Sequence, residues 1–261
     1  MRKRFVFMLL SLAMILAVVS PVAMAADNQL VISTDEAFLW ESSSDSKTLC
    51  GVNPEWYKTN VTDKGIQNIQ IKIPASTKTI RKDFGGSYVT MEGYSTDGKK
   101  LVPAGLKCQQ VFVDFSAATS LKTIERQAFF EVSGLTGVID LSNTNVEEIQ
   151  GTAFKKTAIT GVILPTTLQR VGNDNANNSS GDASVFGQCK NLAYIRVAGG
   201  DPNAVLELPS RLQLIGYTGF LLDGTKIEQT MKNNPFVIKI PRSLKEMQHT
   251  AIGFDDFTAM R

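Results

Sequence analysis

The chain has 261 residues, with 27 Lys and Arg against 25 Asp and Glu, one His and three Cys. Charged residues make up 20% and hydrophobic residues 43%, which excludes wholesale disorder and gives ample material for a core. The near-zero charge argues against a nucleic-acid binder, and the single His against His-based catalysis or a His-cluster metal site.

Residues 1–25, MRKRFVFMLLSLAMILAVVSPVAMA, read as an export signal. Arg2, Lys3 and Arg4 precede an apolar run from Phe5 to Val19, and Pro21 leads to a small-x-small site at Ala23-Met24-Ala25. A membrane anchor is the competing reading, but the run is shorter than the roughly 20 residues a spanning helix needs. Cleavage after Ala25 is expected to leave 236 residues with 24 basic and 25 acidic side chains, because three basic residues leave with the signal. No Cys sits at the cut to carry a lipid, and no second long apolar run follows. Cys50, Cys108 and Cys189 admit either one pair and one thiol or three free thiols; three thiols is the reading adopted.

Residues 26–70 are expected to form an N-terminal cap. DSKTLCG followed by NPEWYKTN suggests a short hairpin or helix that covers the first unit of a stacked array. Trp40, Trp56 and Tyr57 fill that cap in one reading; in the other they form a platform for glycan stacking. Residues 85–110, with GGSY, STDGKK and LVPAGLKC, are rich in turn formers and read as a hairpin insertion, after which Val111, Val113 and Phe115 resume a strand.

From 71 to 261 a unit recurs. Pro74, Pro165, Pro209 and Pro241 each follow an aliphatic residue (Ile73, Leu164, Leu208, Ile240) and are followed six positions later by Ile80, Val171, Ile215 and Met247. Ile124 and Ile149 close two units that lack the Pro but carry Leu121 or Val146 three residues earlier, after Asp114-Phe115-Ser116 or Asp140-Leu141-Ser142. A Phe stands five residues after the aligned aliphatic at Phe129, Phe154 and Phe220. Phe84 comes one residue early, Phe186 follows an Asn/Asp-rich insertion, and Ile252 takes the slot in the last unit. Leu135 and Val138, Ile159 and Val162, and Cys189, Leu192 and Ile195 continue the apolar pattern behind the Phe. The shorter steps, 22 and 25 residues, lie in the leucine-rich-repeat range, and residues 173–185 and 222–235 are insertions, the latter a short helix ending before Pro235. One unit cannot bury its own apolar face, so the pattern requires stacking.

The runs LKTIERQAFFEVSGLTGVIDL, IQGTAFKKTAITGVILPTTLQRVG and VFGQCKNLAYIRV resemble the BspA-like leucine-rich repeats of bacterial surface proteins. The resemblance is good over about 115–252 and fair at 71–84. It implies an α/β leucine-rich-repeat solenoid with short parallel strands, irregular or short helical connections and an N-terminal cap. It also implies export, adhesion and contact with a protein or a host- or cell-surface macromolecule, outside the cell.

No constellation in the sequence announces a reaction. The Asn/Asp-rich loop at 173–182 lacks EF-hand spacing, His249 stands alone, no Ser sits in Gly-x-Ser-x-Gly, and there is no Gly-rich phosphate loop. No catalytic residue, metal or cofactor is expected. The working surface is expected to be the sheet. In IQIKI, VFV, VIL, IRV and FVIKI alternate residues point inward, leaving Lys72, Phe112, Ile163, Arg196 and Lys239 outward with Tyr194 nearby. These six are the candidate partner-binding residues. A carbohydrate-binding module built on the N-terminal aromatics is the alternative.

Overall fold

A computed structural model describes residues 29–41, 47–86, 94–96, 99–101, 103–172, 184–234, 237–248 and 250–253. The proposed signal at 1–25, the Asn/Asp-rich loop 173–183, His249 and the last eight residues lie outside these. The fold is mixed α/β, with mostly parallel sheets, few helices and no closed barrel among the described residues.

The longest sheet has eight strands. Its order is Phe38–Trp40, Thr48–Val52, Thr79–Ile80, Thr123–Ile124, Glu148–Ile149, Arg170–Val171, Leu214–Ile215, Glu246–Met247. Every pairing is parallel except the first, between Phe38–Trp40 and Thr48–Val52. The aligned aliphatics predicted from spacing are register partners: Leu49, Ile80, Ile124, Ile149, Val171, Ile215 and Met247 follow one another across the sheet. Six of them, Leu49 to Ile215, are fully buried. Most of these strands are only two residues long, so the ladder is carried by the residue that follows. The N–H groups of Glu125, Gln150, Gly172, Gly216 and Gln248 donate to Ile80 O, Ile124 O, Ile149 O, Val171 O and Ile215 O at 2.7–3.0 Å.

A side-chain ladder runs beside it. Glu125 Oε2 accepts from Lys82 N (3.0 Å), Gln150 Oε1 from Arg126 N (3.1 Å) and Gln248 Oε1 from Tyr217 N (3.0 Å). In each case the residue after the aligned aliphatic reaches back to the preceding unit. Gly172 and Gly216 occupy the same position and have no side chain to do so.

Next the chain turns through the left-handed region. Asp83, Gln127, Thr152, Thr218 and Thr250, each three residues past an aligned aliphatic, have φ of 53–64°. This turn drops the Phe into the interior. Phe84, Phe129, Phe154, Phe186 and Phe220 are all fully buried and form a file with successive centroids 5.2, 5.2, 5.9 and 6.2 Å apart. Ile252 is the register partner of Phe220, so it does take the Phe slot in the last unit.

The other wall is a second row of parallel strands. Gln29–Ile32, Asn68–Lys72 and Gln110–Asp114 form one sheet; Thr136–Asp140, Ala158–Leu164 and Tyr194–Val197 form another. A parallel bridge from Val111 to Leu135 joins them, and one from Ile195 to Leu206 extends the row. Asp114 and Asp140 end their strands by accepting from Ser116 N and Ser142 N, both at 2.9 Å, which explains the recurring Asp-apolar-Ser.

At the front, Asn53 caps Pro54–Tyr57, which continues into a π-helical turn at Lys58–Thr62. Both the hairpin and the helix read from residues 26–70 are present. The sheets, however, begin earlier than expected: Leu49 and the strand Gln29–Ile32 already belong to the parallel rows apart from the Phe38–Trp40 pairing. The hairpin insertion appears as Tyr94–Thr96 paired with Lys99–Leu101, and Gln110–Asp114 resumes the sheet with Val111 and Val113 buried. The expected helix is Lys226–Asn233, capped by Thr225, with Ile227 buried and its N–H donated to Leu192 O.

Two expectations need correction. FVIKI gives no strand over its described residues 237–240, so Lys239 is not on the sheet. Val237 and Ile240 are 86% and 51% exposed there, so the segment lacks the buried face that holds a strand against a core. Val138 is not a core residue but 40% exposed, because the register shifts between Gly137 and Val138 and turns Ile139 inward instead.

Candidate interaction surface

Strand alternation in the second row of strands decides what faces outward. Ile69, Ile71, Val111, Val113, Ile139, Ile159, Val162 and Ile195 are buried beneath it. Val31, Gln70 and Phe112 are register partners on the outer side, as are Lys72 and Asp114. Farther along, Val138, Gly161 and Tyr194 form one outer row and Asp140, Ile163 and Arg196 the next. Apolar side chains thus occupy the middle of the face, and charged ones the ends of the strands.

Tyr194 and Arg196 stack on one another on this face. The Arg196 guanidinium carbon stands 4.0 Å from the Tyr194 ring centroid, and its Nε donates to Ala204 O at 2.8 Å. The ring in turn lies on the backbone of Gly161: a Cβ placed there would come within 2.2 Å of Tyr194 Cζ. Only a glycine lets the tyrosine lie flat, and the flat tyrosine positions the cation.

The structure therefore brings five of the six predicted residues to one face. Lys72 is exposed, Phe112, Ile163, Tyr194 and Arg196 are half-buried, and Lys239 stands apart on 237–240. Sequence reasoning missed Val31 and Val138, which are 41% and 40% exposed on the same face. Gly137 marked the irregularity that brings Val138 out.

Of the N-terminal aromatics Tyr57 is buried, while Trp40 and Trp56 are half-buried. Tyr57 is 7% exposed with its hydroxyl 3.1 Å from Cys108 Sγ, Trp40 packs edge-on against Phe38, and Trp56 packs against the core. A pocket of about 450 Å³ opens beside Tyr57 between Pro54, Val61, Ile66, Ala104 and Cys108.

All three cysteines are buried and unpaired. Burial pushes the Cys50 thiol up to about 12 and the Cys189 thiol up to about 11, and raises Cys108 as well. Thiols held protonated in this way are poor nucleophiles at neutral pH. Among the described residues no group of three or more His, Cys, Asp or Glu could hold a metal ion, and no helix is long and apolar enough to cross a membrane.

No protein-family model matches the chain, and none of the curated proteins matches it either.

Proposed function

We propose that the chain is an exported leucine-rich-repeat protein of the BspA-like type, a solenoid that recognises another protein or a host- or cell-surface macromolecule and performs no reaction. The solenoid reading is supported by the register file from Leu49 to Met247 and by the parallel file of five phenylalanines. Recognition rests on one observation above the rest: a tyrosine and an arginine held in a fixed stack on a broad, partly apolar face. Tyr and Arg are the side chains that most often anchor protein interfaces, and a prearranged pair loses little freedom on binding. Phe112, Val138 and Ile163 supply the apolar surround, Lys72 and Asp140 the polar border.

The test is binding of the purified secreted protein to host-matrix and cell-surface proteins, with Arg196→Glu and the pair Phe112→Ala, Ile163→Ala alongside. At an anchoring position each change is expected to weaken binding at least about tenfold, since an interface anchor is worth about 2 kcal/mol or more. Equal affinity for all three proteins would move the site off this face. The N-terminal residue of the exported protein is expected to be Ala26.

A further inference from the structure

Among the described residues, the slots that the core fills inside the molecule are exposed at its far end. Leu164, Leu168 and Val171 are fully buried, and Leu208, Leu212 and Ile215 are at most 7% exposed. Their counterparts in the last unit are Ile240, Leu244 and Met247. Ile240 is 51% exposed, Met247 is 55% exposed and Leu244 is half-buried. The side chains are of the same kind; the difference is position. Glu246–Met247 is the final strand of the long sheet, and among the described residues none lies beyond it. Val237, at 86% exposed, adds to the same apolar end.

The opposite end has complementary chemistry. The first strands of the two rows, Gln29–Ile32 and Phe38–Trp40, are joined through the turn Asp35–Ala37. Residues 29–41 hold Asp35, Glu36 and Glu41 and no Lys or Arg. Asp35 and Glu36 are exposed beside the exposed Val31. Residues 237–248 hold Lys239, Arg242 and Lys245, all exposed, against Glu246 alone.

We propose that the apolar, basic end of one copy docks on the acidic end of a second copy. Two basic ends facing each other would oppose Lys239, Arg242 and Lys245 with themselves, whereas head to tail they meet Asp35 and Glu36. Ile240, Leu244 and Met247 then regain the neighbour that Leu208, Leu212 and Ile215 already have. Such a contact uses different surfaces on the two partners and does not close on itself, so copies add in one direction.

The test is sedimentation of the purified protein over a concentration series at low and high salt. The average mass is expected to climb past two copies without levelling, and to fall at high salt as the charges are screened. The double change Ile240→Glu, Met247→Glu is expected to give a monomer with an unaltered thermal melt. Asp35→Lys with Glu36→Lys, and Arg242→Glu with Lys245→Glu, are each expected to be monomeric alone and to associate when mixed. A monomer at every concentration overturns the proposal, as does a dimer indifferent to reversal of Asp35 and Glu36. So does a monomer that associates only once residues 254–261 are removed, because those residues would then be the cover.

Discussion

Phe129 and Phe154 lie with ring centroids 5.2 Å apart and planes 7° from parallel, although 25 residues separate them in the chain. Both are fully buried, and Phe154 is stacked again on its other side by Phe186 at 5.9 Å. Phe154→Ala removes the middle of the file and is expected to cost about 3–5 kcal/mol in a denaturant melt. Phe154→Leu, which keeps most of the volume, is expected to cost less. A loss below about 1 kcal/mol for the alanine would show that the file is not what holds neighbouring units together.

The Gln150 side chain ties two units by a hydrogen bond, its Oε1 accepting from Arg126 N at 3.1 Å. Gln150→Ala leaves that half-buried donor unmatched and is expected to cost about 1 kcal/mol. Gln150→Glu is expected to be close to neutral, because Glu125 performs the same task one unit earlier. Chemical denaturation of the two variants decides the matter, and equal losses would exclude the hydrogen bond as the cause.

At Gly172, as at Gly216, the side-chain tie is missing, and the backbone of the next unit comes close. The φ of Gly172 is +97°, and a Cβ would stand 2.9 Å from Gly219 Cα. Gly172→Ala is therefore expected to destabilise by about 1–3 kcal/mol through backbone strain, with further loss from contact across the units. Gly65→Ala has open space and a φ of +65°. It isolates the conformational part, so the difference between the two melts measures the close approach.

The buried thiols give the stability a defined pH dependence. Their ordinary value is 9.0, and burial raises Cys50 to about 12 and Cys189 to about 11. Between these limits the unfolded chain has released protons that the folded chain still holds, so unfolding becomes easier as pH rises. The contribution is fully present below about pH 9 and is lost progressively toward pH 11–12. Urea midpoints are expected to fall over this range, and less so for a Cys50→Ala, Cys189→Ala protein compared with its own value at pH 8. At neutral pH neither thiol is expected to react with an aromatic disulfide reagent until urea opens the fold.

Much of this architecture was legible because burial leaves a regular trace in sequence. Ile80, Ile124, Ile149, Val171, Ile215 and Met247 were spaced by a repeating need for an aliphatic residue, and the register bears this out. The phenylalanines were equally plain, since one large ring has to fill each corner. The first units were harder to see. Leu49 carries no Pro before it and no Phe at the expected distance, so the extension of the two rows of strands to residues 29 and 38 left no repeated mark. FVIKI misled for the opposite reason: its alternation is that of a strand, but a strand also needs a neighbour to pair with and a core to cover, and composition does not reveal where these stop. Within the strands that form, Lys72, Phe112, Ile163 and Arg196 were read as outward, and Val138 was missed where a single shift of register reversed the faces.

The excursion at 173–183 separates Val171 from Phe186, yet Phe186 still stacks on Phe154 at a tilt of 6° and Val185 O still accepts from Phe154 N at 3.0 Å. The stack thus keeps its spacing on either side of a unit that carries eleven more residues, 173–183, between Gly172 and Ser184. That makes this segment a natural port for grafting: an epitope, a reporter tag or a loop library could be spliced between Gly172 and Ser184 without asking the rest of the molecule to adjust.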